Sequence, residues 1–132
     1  MAIEGLQHIG LYVNDVKRSA KFYTEVLGFE VYLETVNSAP EGDYLVCFVQ
    51  KGDCRIEIVQ LPEKFTREDG WVDHIALRVT DIDETIKELE AAGVEFEEGS
   101  YTIAPHVFPP KGSKWIMFRG PDGEHLELNE IL

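Results

Sequence analysis

Leu6-Gln7-His8-Ile9-Gly10-Leu11-Tyr12-Val13-Asn14-Asp15-Val16 lies over Val72-Asp73-His74-Ile75-Ala76-Leu77-Arg78-Val79-Thr80-Asp81-Ile82 at an offset of 66 residues. The histidine, the alternating aliphatic residues and the aspartate coincide. Alternation with a period of two marks a strand. A helical spacing follows each aspartate: Val16, Ala20, Tyr23, Val26 and Leu27 before Gly28, and Ile82, Ile86, Leu89 and Ala92 before Gly93. Asp15 and Asp81 are placed to accept the orphan N–H groups of a first turn. Gly28 and Gly93 are placed to end the helices with a positive φ.

Further blocks match at an offset of 70. Leu45-Val46-Cys47-Phe48 lies over Trp115-Ile116-Met117-Phe118, and Ile56-Glu57-Ile58 over Leu126-Glu127-Leu128. The change of offset places about four extra residues in the second copy, assigned to the Pro-rich stretch from Ala104 to Gly112. Lys51-Gly52-Asp53 and Pro121-Asp122-Gly123 supply turns before each final strand. Each copy reads strand, helix, then three strands. The expectation is one domain over residues 1–132, with modules at 1–61 and 72–132 and a linker at 62–71.

Composition narrows the function. The 132 residues are 44% hydrophobic, enough for an ordinary core, and 25 acidic against 12 basic residues give a net charge of −13. That field repels a phosphate backbone, and no basic stripe offsets it, so nucleic acid is not expected as a partner. No apolar run is long enough to span a membrane, and Met1-Ala2-Ile3-Glu4 lacks the pattern of a signal peptide. Cys47 and Cys54 are the only cysteines and do not form a disulfide framework, which suits a reducing compartment; a cytoplasmic protein is expected.

Alternation also sorts residues by face. Ile9, Leu11 and Val13 oppose His8, Gly10 and Tyr12, and Ile75, Leu77 and Val79 oppose His74, Ala76 and Arg78. In the final strands, Ile56 and Ile58 oppose Glu57, and Leu126 and Leu128 oppose Glu127. Each copy thus carries one histidine and one glutamate on the sheet face away from its helix. Packed about an approximate two-fold, those faces would bring His8, Glu57, His74 and Glu127 to one divalent metal ion. Two imidazoles and two carboxylates suit Ni, Zn, Co, Mn or Fe. His106 and His125 have no counterpart and are read as non-ligands, a loop side chain and a turn-proximal surface residue. Trp71, Trp115 and Phe108 are candidates to line a pocket or to pack in the core or at an interface. Glu95, Glu97 and Glu98 read as a solvated strand end. The stretch from Ala104 to Lys111 is long for a β connection and is expected near a pocket mouth.

These residues resemble the vicinal oxygen chelate superfamily of paired βαβββ proteins, over essentially the whole chain. The resemblance is carried by His8–Val13, by Phe22-Tyr23-Thr24-Glu25-Val26-Leu27-Gly28-Phe29, by Asp73–Val79 and by Gly120-Pro121-Asp122-Gly123-Glu124-His125-Leu126-Glu127-Leu128. It implies an α+β fold in which tandem βαβββ modules form a curved, mostly antiparallel sheet trough. With all four metal positions filled, the pattern is similar to lactoylglutathione lyase (glyoxalase I). That implies a metal-dependent lyase or isomerase, moving a proton between adjacent carbons of a chelated, hemithioacetal-like hydroxycarbonyl. Glu127 is implied as the base and Glu57 as its counterpart. The alternatives are an acyl-CoA epimerase-like enzyme and a non-catalytic small-molecule-binding member.

Recognition of the substrate departs from that pattern. Short glyoxalases usually carry an arginine where this chain has Tyr12, and an asparagine where it has Gln60 and Leu61. Arg78, the counterpart of Tyr12, is a candidate to hold an anion from the other copy, or else an exposed salt-bridge residue. Tyr12, Arg78 and Trp115 are the candidate substrate contacts. Glutathione is weakened as the handle, and another hydroxycarbonyl or an acyl compound stays open. A homodimer is expected, with the four ligands drawn from one chain or from two.

Overall fold

A computed structural model describes all 132 residues and divides them into two compact units, Met1–Thr66 and Arg67–Leu132. In the first, β1 (Ile9–Val13) leads into α1 (Val16–Lys21) and a π-helical turn (Phe22–Val26), followed by β2 (Glu30–Ala39), β3 (Gly42–Lys51) and β4 (Cys54–Gln60). In the second, β5 (Ile75–Arg78) leads into α2 (Ile82–Ala91), then β6 (Thr102–Ala104), β7 (Ser113–Arg119) and β8 (His125–Ile131). The sheets run β1-β4-β3-β2 and β5-β8-β7-β6. In each, the first strand joins the last in parallel and the other ladders are antiparallel. This is the α+β architecture expected from the repeat.

The helix signals act as read. Asp15 Oδ1 accepts the N–H groups of Lys17 and Arg18, each at 3.1 Å, and Asp81 Oδ1 accepts that of Glu84 at 3.1 Å. At the end of α2, Gly93 at φ +94° lets its own N–H reach Glu90 O and that of Val94 reach Leu89 O, which satisfies two orphan carbonyls. The first helix closes more widely, with Phe29 N–H donating to Tyr23 O at 2.8 Å. The cause is one extra residue: Asp15 to Gly28 spans thirteen steps and Asp81 to Gly93 twelve. The π-helical turn absorbs it, and the Thr24 hydroxyl takes the Ala20 carbonyl at 2.8 Å. A simple α-helix to Leu27 is therefore corrected at its second half.

A second correction concerns alignment. In the first unit Phe48 stands opposite Glu57, but in the second Met117 stands opposite Glu127 and Phe118 opposite Leu126. Phe48 therefore corresponds to Met117, one residue from the match made on sequence. The turns explain it. Two residues separate the last pair Lys51 and Cys54, whereas Gly120, bonded to Glu124 O at 2.9 Å, is separated from it by three. One of the extra residues thus lies in this turn rather than in the Pro-rich stretch. A one-residue shift exchanges the sheet faces, so Phe118 is fully buried in the core while Phe48 shares the face of Glu57.

The helix-side faces hold the cores: Ile56, Ile58 and Val49 with Val13 and Tyr23 in one unit, and Leu126, Leu128 and Phe118 with Ile82 in the other, each at most 2% exposed. Gly120 is required by packing, since a Cβ there would stand 2.3 Å from Cδ of the buried Glu124.

Candidate functional site

Each unit assembles one histidine–glutamate pair, and the same device places both. A parallel ladder sets the first strand beside the last, so that Gly10 adjoins Glu57 and Ala76 adjoins Glu127. His8 and His74 each sit one residue before that first strand, not within it, and their rings reach over to the glutamate. His8 Nε2 lies 3.6 Å from Glu57 Oε1, and His74 Nε2 lies 2.9 Å from Glu127 Oε2. Small residues lie beneath: a Cβ on Gly10 would meet Glu57 Oε1 at 3.5 Å, an ordinary contact, and the second unit carries Ala76 there.

The other ring nitrogen is held in both pairs. His74 Nδ1–H donates to Asp73 Oδ2 at 2.8 Å, and His8 Nδ1–H donates to Gln7 Oε1. That arrangement leaves Nε2 as the lone-pair atom, facing a carboxylate oxygen. Two acceptors held this close repel unless a cation or a proton lies between them. Donors bound to one metal at about 2.0–2.2 Å stand about 3.0–3.4 Å apart, close to the two distances here. An outer carboxylate or amide on the distal ring nitrogen is the usual support of a metal-bound imidazole. Each pair therefore offers two donors of the kinds that a divalent metal takes. Neither unit by itself gathers three or more His, Cys, Asp or Glu side chains able to hold a metal.

The environments differ. The Glu127 side chain is 9% exposed, and its other oxygen accepts the Asn129 amide at 2.7 Å. The Glu57 side chain is 25% exposed, and the distant His8 ring is its neighbour. Phe48 packs edge-on to His8 with ring centres 5.3 Å apart.

The second unit extends its pair into a network that sequence reading missed. His125 is not a surface residue: its side chain is 13% exposed, its ring lies edge-on to His74 at 6.2 Å, and Nδ1 is 3.6 Å from Asp73 Oδ2. His125 Nε2 lies 3.0 Å from Glu97 Oε1, off the line of a hydrogen bond. Glu97, read as solvated, also receives Arg119 Nε at 3.2 Å, and Arg119 grips Asp69 through two nitrogens at 2.6 and 3.1 Å. The hydrogen bond from Arg119 holds the Asp69 carboxyl below its ordinary value, and that from His74 does so for Asp73. Alternation along β8 puts His125 on the face of Glu127; what the sequence does not show is that Asp73 and Glu97 enclose it there.

Of the candidate substrate contacts, Arg78 and Trp115 fall in one row across the second sheet, both opposite Asn129. Arg78 is exposed and Trp115 half-buried. Tyr12 is 61% exposed and lies beside Val59 in the first unit. Trp71 is fully exposed and Phe108 mostly so; neither is core. The stretch after Ala104 joins β6 to β7 and ends at Gly112, where a Cβ would strike Ala104 O at 2.4 Å. Both cysteines are free thiols, and burial pushes each above its ordinary value. No helix is long and apolar enough to cross a membrane.

Comparison with known proteins agrees with this architecture. The chain is 34% identical over 128 residues to a probable lactoylglutathione lyase of Vibrio parahaemolyticus, covering 92% of this chain and 86% of that protein. It is 31% identical over 134 residues to the uncharacterized Bacillus subtilis protein YwkD, covering 98% and 99%. Among solved structures, a glyoxalase family protein from Enterococcus faecalis superposes with a TM-score of 0.77 at 28% identity, covering 98% of this chain and all of that one. The fosfomycin resistance protein FosX of Listeria monocytogenes, solved with Mn(II), shares the fold at a TM-score of 0.72 and 22% identity, covering 99% of this chain and 95% of that one. Residues 5–128 match the family itself, and the chain belongs to the Glyoxalase/Bleomycin resistance protein/Dioxygenase superfamily.

Proposed function

We propose that the protein is a metal-dependent lyase or isomerase of glyoxalase type, in which His8, Glu57, His74 and Glu127 together hold one divalent metal ion. The observation that carries this reading is the recurrence of one histidine–glutamate pair, in the same register and with the distal ring nitrogen held, in both units. A bound divalent ion would supply Lewis-acid polarisation of two neighbouring substrate oxygens.

The chain's own groups then handle the proton. Glu127 is oriented by Asn129, and its carboxylate accepts a proton from one substrate carbon and returns it to the next. Glu57, less tightly held, serves as the counterpart carboxylate. Arg78 and Trp115 in one unit and Tyr12 in the other orient the substrate. The active form is a homodimer, with the four ligands drawn from one chain or two. Relatives named as a probable lactoylglutathione lyase and as a 2-epi-5-epi-valiolone epimerase support proton transfer at carbon as the shared chemistry.

The test is metal analysis of the purified chain, then assay with the hemithioacetal of methylglyoxal and glutathione, with hemithioacetals of other thiols, and with acyl-CoA esters. Turnover that needs the metal supports the reading. Stoichiometric metal with no turnover points to a small-molecule binder, and no metal after reconstitution with Ni(II) or Zn(II) overturns the metal claim.

A further inference from the structure

We propose that Arg55 recognises an anionic oxyacid group, a carboxylate or a phosphate, on the substrate held at the His8–Glu57 pair; the inference rests on the metal-site reading above. Arg55 lies two residues before Glu57 on β4, so the two side chains share a face with Cα atoms about 6.7 Å apart.

Three features build the site. Arg55 Nε donates to Gln50 Oε1 at 3.0 Å across the β3–β4 ladder. The guanidinium carbon stacks 4.3 Å above the Tyr32 ring centre. Tyr32 reaches it because β2 carries a bulge there, between the Val31–Val49 and Leu33–Phe48 pairs, and a bulge on an edge strand re-aims the side chain it contains. Gln50 and Tyr32 therefore fix the guanidinium plane from its edge and its face.

Charge points the same way. Arg119 is consumed by Asp69 and Glu97, whereas Arg55 has no carboxylate partner in a chain with twice as many acids as bases. Arg55 lines a cleft of about 250 Å³ with Leu6, Gln7, Gln50, Gly52 and Asp53. Gln7, on the wall of that cleft, is also the residue that holds His8. A planar fork with its edge open matches two oxygens of a carboxylate or phosphate. The second unit has His125 at the corresponding place, turned toward Glu97, so only the first unit offers this cation.

Calorimetric titration of the full chain, metal-free and Ni(II)-loaded, tests this with dihydroxyacetone, dihydroxyacetone phosphate and hydroxypyruvate. The wild type should bind at least one anionic probe about tenfold or more tightly than the neutral one, and which probe gains identifies phosphate or carboxylate as the group. In Arg55→Gln that ratio should fall close to one; in Arg55→Lys part of it should survive. Tyr32→Leu, which keeps the charge and removes the stack, should lower it several-fold. An equal ratio in wild type and Arg55→Gln, both folded by circular dichroism, overturns the proposal. Failure of the wild type to bind Ni(II) overturns the metal reading alone, and the ratio is then decided on the metal-free chain.

Discussion

The two histidine–glutamate pairs occupy equivalent positions in equivalent sheets, yet they are built to different tolerances. In the second unit the contact is 2.9 Å, the glutamate is nearly buried and doubly engaged, and a charged residue, Asp73, braces the histidine. In the first the contact is 3.6 Å, the glutamate is partly exposed, and an uncharged Gln7 does the bracing. Placement is the same in both units, while the surroundings differ. One pair is held rigid by a network running to Arg119, and the other lies open beside a cleft and an unpaired arginine.

The largest effect expected from this asymmetry is on turnover. Glu127→Gln keeps the shape and the Asn129 contact but removes the proton acceptor, and should lower kcat by about 10²–10⁴-fold. Glu57→Gln should cost less. Steady-state kinetics of the two variants decide between them, and the reverse ranking would transfer the role of base to Glu57.

Stability separates two phenylalanines that sequence alignment had equated. Phe118→Ala empties a fully buried site and should cost about 3–5 kcal/mol in denaturant unfolding. Phe48→Ala, on the half-buried face beside His8, should cost distinctly less. Equal losses would break the one-residue offset between the units.

Bracing gives a smaller effect. Asp73→Asn should weaken metal affinity by about 10–100-fold, measured by competition with a chelator, while Gln7→Ala should weaken it less. Comparable losses would mean that the two pairs are supported alike.

The smallest effect lies outside both pairs. Tyr101 donates to Asp83 at 2.7 Å, and that bond chiefly pushes its phenol up to about 12. A group with a raised folded value contributes stability that is complete below its unfolded value, about 10, and is lost as pH rises toward 12. The Glu41 carboxylate raises Tyr44 as well, so ultraviolet titration should show one fewer late-ionising tyrosine in Asp83→Asn than in the wild type.

Much of this was legible because it rests on local rules. Asp15, Asp81 and Gly93 cap helices through bonds to near neighbours, and strand alternation placed His8, Glu57, His74 and Glu127 on their faces. What escaped depends on counting across turns and on contacts distant in sequence. The extra residue before Gly28 was visible as a spacing, but its accommodation as a π-helical turn was not. The extra residue between Gly120 and Glu124 turned Phe118 inward. Glu97 and His125 meet only because the chain returns over 28 positions, and Arg55 gained significance only when the β2 bulge brought Tyr32 beneath it.

In the proposed site both pairs serve one metal ion. Calorimetric titration with Ni(II) of the wild type, the His8→Ala/Glu57→Gln variant and the His74→Ala/Glu127→Gln variant tests it most directly. We predict a single site per chain in the wild type, lost in either double variant. A site that survives intact when His8 and Glu57 are replaced, or two independent sites per chain, would contradict it.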